Sequence, residues 1–246
     1  MAADFQIFTS LRYDPVLLEA PAAGMEHAGW NYTHASPVYM LDFHRDRMLR
    51  AATHWNWDAA VEVLSGDLGL ERLNKLIIQA VGQDQRSPMR VKVTVSKDGS
   101  LGCEMSETPK LQLSNLFPTR LPAPRENSAI AGRHLPPRSP EYEVFVDDVK
   151  TSASEYTHFK TTKRVMYDAA RQRARILPTD KKEVLIINHA DGSIMEGSLT
   201  TPYFWRGGRW VTPPVSSTYS PEAGSGGQDG TTRRWMLERY FSACYS

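Results

Sequence analysis

The chain has 246 residues, 41% of them hydrophobic and 23% charged, with a formal net charge of +1. That is ordinary globular composition, with enough chain for one large domain or two small ones. A near-neutral chain has no global field to recruit nucleic acid or an anionic membrane surface, so neither is expected as a partner and any anion site must be local.

Met1 to Phe5 shows no basic region followed by a long apolar run, so no secretory leader is read there. Phe5 to Arg12 reads as a strand. The stretch from there to about Pro37 is rich in Pro, Gly and Ala and reads as loop; its Asn31-Tyr32-Thr33 sequon has no meaning without secretion. From Asp42 to Trp57, apolar residues recur at helical spacing, with Asp42 as a possible cap. A second amphipathic helix is expected from about Leu70 to Val81. Arg90 to Val95 alternates as a strand and runs into Lys97-Asp98-Gly99-Ser100, a hairpin turn. Cys103 and Cys244 have no paired spacing, so reduced thiols in a cytoplasmic protein are expected, with no disulfide framework and no metal site.

Pro118, Pro122, Pro124, Pro136, Pro137 and Pro140 interrupt any regular element between Leu113 and Pro140. The expected organisation is therefore a small N-terminal domain over 1–112, a connection over 113–140 and a larger domain over 141–246. In that second domain Tyr142 to Val146 is a strand, Arg164 to Leu177 a basic helix and Glu183 to Asn188 a buried strand. Ala190 to Ser193 turns the chain back into Ile194-Met195-Glu196. Arg206-Gly207-Gly208 joins two short strands, and a last helix runs from Thr231 to about Phe241. With most strands pairing through short turns, the fold class is α+β rather than a doubly wound sheet.

Four segments carry candidate chemistry. Gly226, Gly227 and Gly230 permit backbone conformations closed to other residues, and Thr231 and Thr232 then open a helix whose N–H groups attract anions. This fits a phosphate cradle or an ordinary loop with a threonine cap. Lys160 is either a solvated lysine or a Schiff-base amine, for which apolar cover from Tyr156 and Phe159 and charge from Lys163 and Arg164 would favour the neutral form. Glu196, at the end of a buried strand, needs a partner, either an arginine or the protonated ring nitrogen of a cofactor. Arg47 offers a planar fork for phosphate or is a surface arginine. His158 fits packing better than proton transfer. HExxH, CxxC and GxSxG patterns are absent from the sequence.

In this order and spacing, the segments resemble the class IV aminotransferases, the fold type IV pyridoxal-phosphate enzymes, from Phe8 to Tyr240. Lys160-Thr161-Thr162-Lys163-Arg164 with Tyr167-Asp168, Trp205 to Pro214, and Gly230 to Trp235 are most similar to fungal aminodeoxychorismate lyase-like proteins. The resemblance implies a two-domain, D-amino acid aminotransferase-like fold with a trimmed small N-terminal domain, because strands usual before Phe8 are missing. It implies pyridoxal 5'-phosphate as cofactor, Lys160 as the Schiff-base lysine and general base, and Glu196 facing the ring nitrogen. Gly230, Thr231, Thr232 and Arg47 match phosphate-side positions, and Arg164 matches one near the ring hydroxyl. Thr9 and Arg12 resemble substrate-side positions. Asp229, close to the expected phosphate, is out of pattern unless it pairs with Arg233.

The implied activity is that of a lyase converting aminodeoxychorismate to 4-aminobenzoate and pyruvate. A transaminase acting on an amino acid or amine through the same lysine, and a catalytically degenerate binding protein, are the alternatives. A small-molecule substrate and a homodimer are the implied partners.

Overall fold

The N-terminal sheet is antiparallel, in the order β1 (Ile7–Tyr13), β2 (Met89–Val95), β3 (Leu101–Glu107). Its register sets Ile7, Thr9 and Leu11 opposite Val95, Val93 and Val91. Side chains alternate along a strand, so these six share one face, and all are buried. Thr9 is the polar member of that apolar row. The computed structural model describes residues 4–82, 84–119, 121–124 and 141–240. By packing, the chain divides into one unit of Met1–Thr119 with Lys160–Lys163 and another of Arg120–Phe159 with Arg164–Ser246.

The first unit carries helices α1 (Trp30–His34), α2 (Leu41–His54), α3 (Asp58–Leu64), α4 (Gly66–Val81) and the short α5 (Leu113–Leu116). Leu41, Met48, Ala51 and Ala52 of α2 and Leu73 and Ile77 of α4 are buried. The segment expected to be loop up to Pro37 folds into two 3-10 turns, the first capped by Asp14, which accepts from Val16 N, and into α1, which is tied to the chain after it by Asn31. Its side chain is fully buried, donates to Ser36 O and Val38 O, and accepts from Met40 N, each at 2.9 Å. The sequon asparagine is thus a structural strut. It also corrects the start of α2: Met40, at φ 47°, is the N-cap, and Asp42 lies in the first turn. A backbone held from Asn31 needs no side-chain cap.

The second unit holds a sheet ordered β4 (Glu143–Val146), β5 (Lys182–Ile187), β6 (Ile194–Gly197). The β5–β6 pair is antiparallel through the Ala190–Ser193 turn, where Asp191 accepts from Ser193 N. The β4–β5 pair is parallel, which a short turn cannot make, and its crossover carries α6 (Glu155–His158) and α7 (Val165–Arg173). Tyr167, Ala170, Ile176, Val184, Ile186 and Met195 form the buried cluster under this sheet. β7 (Phe204–Arg206) and β8 (Arg209–Val211) form the expected hairpin, and α8 (Thr231–Tyr240) ends the described chain. Phe241, Cys244, and residues 120 and 125–140 of the proline-rich stretch lie outside the described residues. Among the described residues no helix is long and apolar enough to cross a membrane.

Candidate active site

Lys160 follows a helix of four residues that would not stand alone. Ser154 and Thr157 cap it reciprocally, with Ser154 N donating to Thr157 Oγ1 at 2.9 Å. Phe159 is extended, and Lys160–Lys163 then lies against β1. Phe8 N donates to Lys160 O at 3.0 Å, Thr162 N to Gln6 O at 2.9 Å, and Thr161 bridges Ile7. The lysine is half-buried, and its ammonium lies 5.1 Å from the centre of the Phe8 ring. The aromatic surface under it is therefore Phe8. Lys92 lies 5.7 Å from the same ring centre and pairs with Glu104 at 3.1 Å. Lys163 instead turns to Asp4, at 2.8 Å.

In the same unit α2 brings His44 and Arg47 to Thr9 of β1. Thr9 Oγ1 accepts from Arg47 Nη2 and lies 2.6 Å from His44 Nδ1. A guanidinium only donates, so placing the one hydroxyl proton of Thr9 on Nδ1 leaves His44 neutral with its proton on Nε2. Burial of His44, and then the charges of Arg47 and Lys160, hold its pKa well below the usual imidazole value. No role was read for His44 from the sequence; a histidine at helical spacing from Arg47 was the available signal. Arg12 lies on the opposite face of β1 from Thr9. Its guanidinium donates to Asp14 Oδ2 at 2.8 Å and to Pro109 O at 2.7 Å.

The second unit holds Arg164, Glu196, Gly230, Thr231 and Thr232. Glu196 pairs across the sheet with Ile186, and its Oε1 accepts from Tyr167 Oη at 2.5 Å. Tyr167 is buried, and Gln228 Nε2 donates to the same phenol oxygen at 3.3 Å. Burial and the neighbouring Glu196 charge raise the Tyr167 pKa well above the ordinary tyrosine value, so it remains a donor. Arg164 stacks over the Tyr167 ring at 4.4 Å and donates to Ser198 O at 2.7 Å.

The turn after Glu196 is tied down by Glu183, which sequence reasoning passed over as an ordinary strand residue. Its buried carboxylate accepts from Ser198 N, Ser198 Oγ, Leu199 N and Thr200 Oγ1, at 2.5 to 3.1 Å. Arg171 Nη1 donates to Ser198 Oγ at 3.1 Å and stands 4.0 Å from Glu183 Oε1. An acidic residue opening the apolar run Val184 to Ile187 was the signal.

Of the three glycines before α8, only Gly226, at φ 84°, needs a conformation that side chains avoid. Gly227 and Gly230 are small for another reason: an added Cβ would come 2.6 Å from Met195 O and 2.9 Å from Thr201 Oγ1, respectively. The first i→i−4 bond of α8 runs from Arg234 N to Gly230 O, so the N–H groups of Thr232 and Arg233 precede the helical ladder. Thr231 is buried and Thr232 exposed. Asp229 pairs with Arg233 at 3.2 Å, which offsets its charge beside the helix start. His158 packs edge-on against Phe159 and Tyr219.

Each unit by itself offers groups of a kind that pyridoxal phosphate takes up. The second unit offers a held carboxylate and a helix start flanked by close-packed glycines; the first offers a half-buried lysine and an arginine on a threonine.

The structure resembles a provisionally named amino-acid aminotransferase from Mesorhizobium loti, at 18% identity and TM-score 0.56, over 96% of this chain and 83% of that one. It also resembles a provisionally named 4-amino-4-deoxychorismate lyase from Haemophilus somnus, at 12% identity and TM-score 0.52, over 96% and 84%. A third likeness is to a hypothetical aminotransferase from Mycobacterium tuberculosis with α-ketoglutarate and PMP bound, at 14% identity and TM-score 0.54, over 97% and 71%. These likenesses show a shared α+β fold, that of the fold type IV aminotransferases. Comparison with curated protein sequences gave no match. The family model for amino-transferase class IV matches residues 29–241. The chain belongs to the class IV aminotransferases, enzymes that generally depend on pyridoxal phosphate.

Proposed function

We infer that this protein binds pyridoxal 5'-phosphate and uses it as a lyase of the aminodeoxychorismate type, releasing pyruvate and 4-aminobenzoate. The observation that carries the cofactor reading is the Glu196 carboxylate, presented from β6 and held at Oε1 by the neutral phenol of Tyr167. When bound, the cofactor supplies a protonated ring that draws in electrons from the carbon beside the substrate amine. Glu196 would hold the proton on the ring nitrogen. Thr231 and Thr232 would receive the phosphate at the helix start beside Gly230, and Arg47 would add a cation to it. Arg164 would orient the ring hydroxyl. Lys160 Nζ would be the amine that captures the cofactor's aldehyde, and, once displaced by the substrate amine, it would be free as an uncharged base to take the proton from the substrate carbon.

The lyase reading draws on the sequence resemblance and on Arg12. That guanidinium is engaged by Asp14 and Pro109, so β1 presents no ready cation to a keto-acid acceptor there. A lyase requires no such acceptor. The second reading, transamination, is favoured by the fold likeness to an aminotransferase seen with PMP and α-ketoglutarate. A homodimer is part of the proposal: Tyr142, Val144 and Val146 leave an exposed apolar row along β4, of the kind subunit contacts cover.

The test is direct. Purified protein given pyridoxal phosphate should show a visible absorption band, and borohydride should fix the cofactor to Lys160 in a peptide map. A reduced adduct on another lysine would overturn the assignment. Pyruvate release from aminodeoxychorismate without a keto acid supports the lyase; stoichiometric conversion of bound cofactor to its amine form by an amino donor supports the transaminase. Lack of a visible band on full loading would leave a degenerate binding protein.

A further inference from the structure

Three elements of the second unit meet at one phenol. Tyr167 comes from α7, Glu196 from β6, and Gln228 from the glycine-rich turn that leads into α8. Tyr167 Oη has one proton. The Thr157 carbonyl lies 3.3 Å away and Glu196 Oε1 lies 2.5 Å away, so the proton belongs to the carboxylate, the closer and charged acceptor. The lone pairs of the phenol are then left for Gln228 Nε2 at 3.3 Å. A donor chain results: Gln228 to Tyr167 to Glu196. Both Tyr167 and Gln228 are buried, so water does not compete for these bonds. The ring itself packs among Ala170, Val184, Ile186 and Met195, which fixes where the hydroxyl can be.

We propose that Tyr167 is a positioning residue that makes Glu196 and the turn before α8 one hydrogen-bonded piece, holding Glu196 ionised and aimed while Gln228 sets that turn. This rests on the reading of Glu196 as the partner of the cofactor's ring nitrogen. The physical reason is the asymmetry of the bond. A neutral phenol stabilises an ionised carboxylate but adds no positive charge, unlike an arginine, which would compete with the ring nitrogen for the same oxygens. Ionisation of Tyr167 itself is opposed by burial and by the adjacent carboxylate, so the donor persists over the whole working range of pH.

The test uses Tyr167→Phe, which keeps the packed ring and removes one oxygen, with Glu196→Gln and the double variant. In apo-protein carrying carbon-13 glutamate, the infrared carboxyl band of Glu196 is identified by its loss in Glu196→Gln. In Tyr167→Phe that band should titrate at a pH higher by about one unit, because a hydrogen bond to the ionised form is gone. The dissociation constant for pyridoxal phosphate should rise about tenfold in Tyr167→Phe. The double variant should bind no more weakly than Glu196→Gln alone, since Tyr167 acts through Glu196. Should Tyr167→Phe not fold, 3-fluorotyrosine at 167 replaces it: a more acidic phenol donates more strongly, and the band should titrate lower than in the wild type.

An unmoved band, or additive losses in the double variant, would overturn the proposal. If Glu196→Gln weakens cofactor binding and Tyr167→Phe does not, this inference alone falls. If Glu196→Gln leaves both affinity and the absorption spectrum of the bound cofactor unchanged, the reading of Glu196 falls first and takes this inference with it.

Discussion

Each unit of this protein buries one titratable side chain in neutral form beside a group of fixed charge, and the two do it with opposite signs. In the first unit the buried group is His44, and the charges that reach it are the cations Arg47 and Lys160. In the second it is Tyr167, and the charge is the anion Glu196. Burial pushes both toward neutrality, imidazole down and phenol up, and in each case the neighbouring charge pushes the same way. A neutral, hydrogen-bonded side chain can thus steady a half-buried charge without cancelling it. Thr9 plays the intermediary for Arg47, whereas Tyr167 reaches Glu196 directly.

The contrast can be broken at its charged members first. Lys160→Ala should remove covalent attachment of the cofactor and lower turnover on the order of 10²–10⁴-fold, the usual scale for losing a positioned base. Borohydride trapping and steady-state kinetics measure this, and the second unit's fold should be unaffected by hydrogen-exchange mass spectrometry. Next in size is Glu183→Ala. It leaves the buried donors of Ser198 without their acceptor, while the more exposed Leu199 N and Thr200 Oγ1 turn to water, and should destabilise the second unit by about 2 kcal/mol, read by urea unfolding followed through Trp235. Protection of the first unit should not move.

The opposite signs predict opposite pH weaknesses. His44 has a folded pKa below its unfolded value of 6.5, so below that pH the unfolded chain takes up a proton that the folded chain refuses. Stability of the first unit is then present above pH 6.5 and falls as pH drops below it, by at most about 1.4 kcal/mol per pH unit. His44→Gln should flatten that slope in urea titrations between pH 7.5 and pH 5. In the second unit, Tyr203 is pushed up to about 12 by burial, against the opposing charge of Arg233, and Tyr167 is raised as well. Above pH 10 the unfolded chain loses protons that the folded chain keeps, so this unit should weaken as pH rises from 10 toward 12. Equal acid sensitivity of both units would break the comparison. The smallest effect expected is from Arg12→Lys, which loses the bond to Pro109 O while keeping charge near Asp14. It should cost about 1 kcal/mol by urea unfolding and change the substrate KM less than twofold.

Much of the frame was legible residue by residue. Val91, Val93 and Val95 announce a half-buried strand because apolar side chains must share a face every second residue. Gly226, Gly227 and Gly230 announce a helix start with close packing, although of these only Gly226 needs its unusual dihedral and the other two are small because of Met195 and Thr201. The helix α1 was not legible, because its anchor, Asn31, acts through bonds to backbone groups up to nine residues away. The parallel pairing of β4 with β5 was equally hidden, since a crossover leaves no local turn signal.

Sequence alone determined most of the elements and the order of the chemical segments, since periodicity and spacing are properties of the chain itself, and the resemblance those segments carry points to the family. Tertiary structure alone decided which neutral group stands beside which charge: Thr9 and His44 with Arg47, Tyr167 with Glu196, Glu183 with the turn at Ser198. The reason is range. A hydrogen bond acts within about 3 Å, and only folding brings residues 29 or 35 positions apart to that distance.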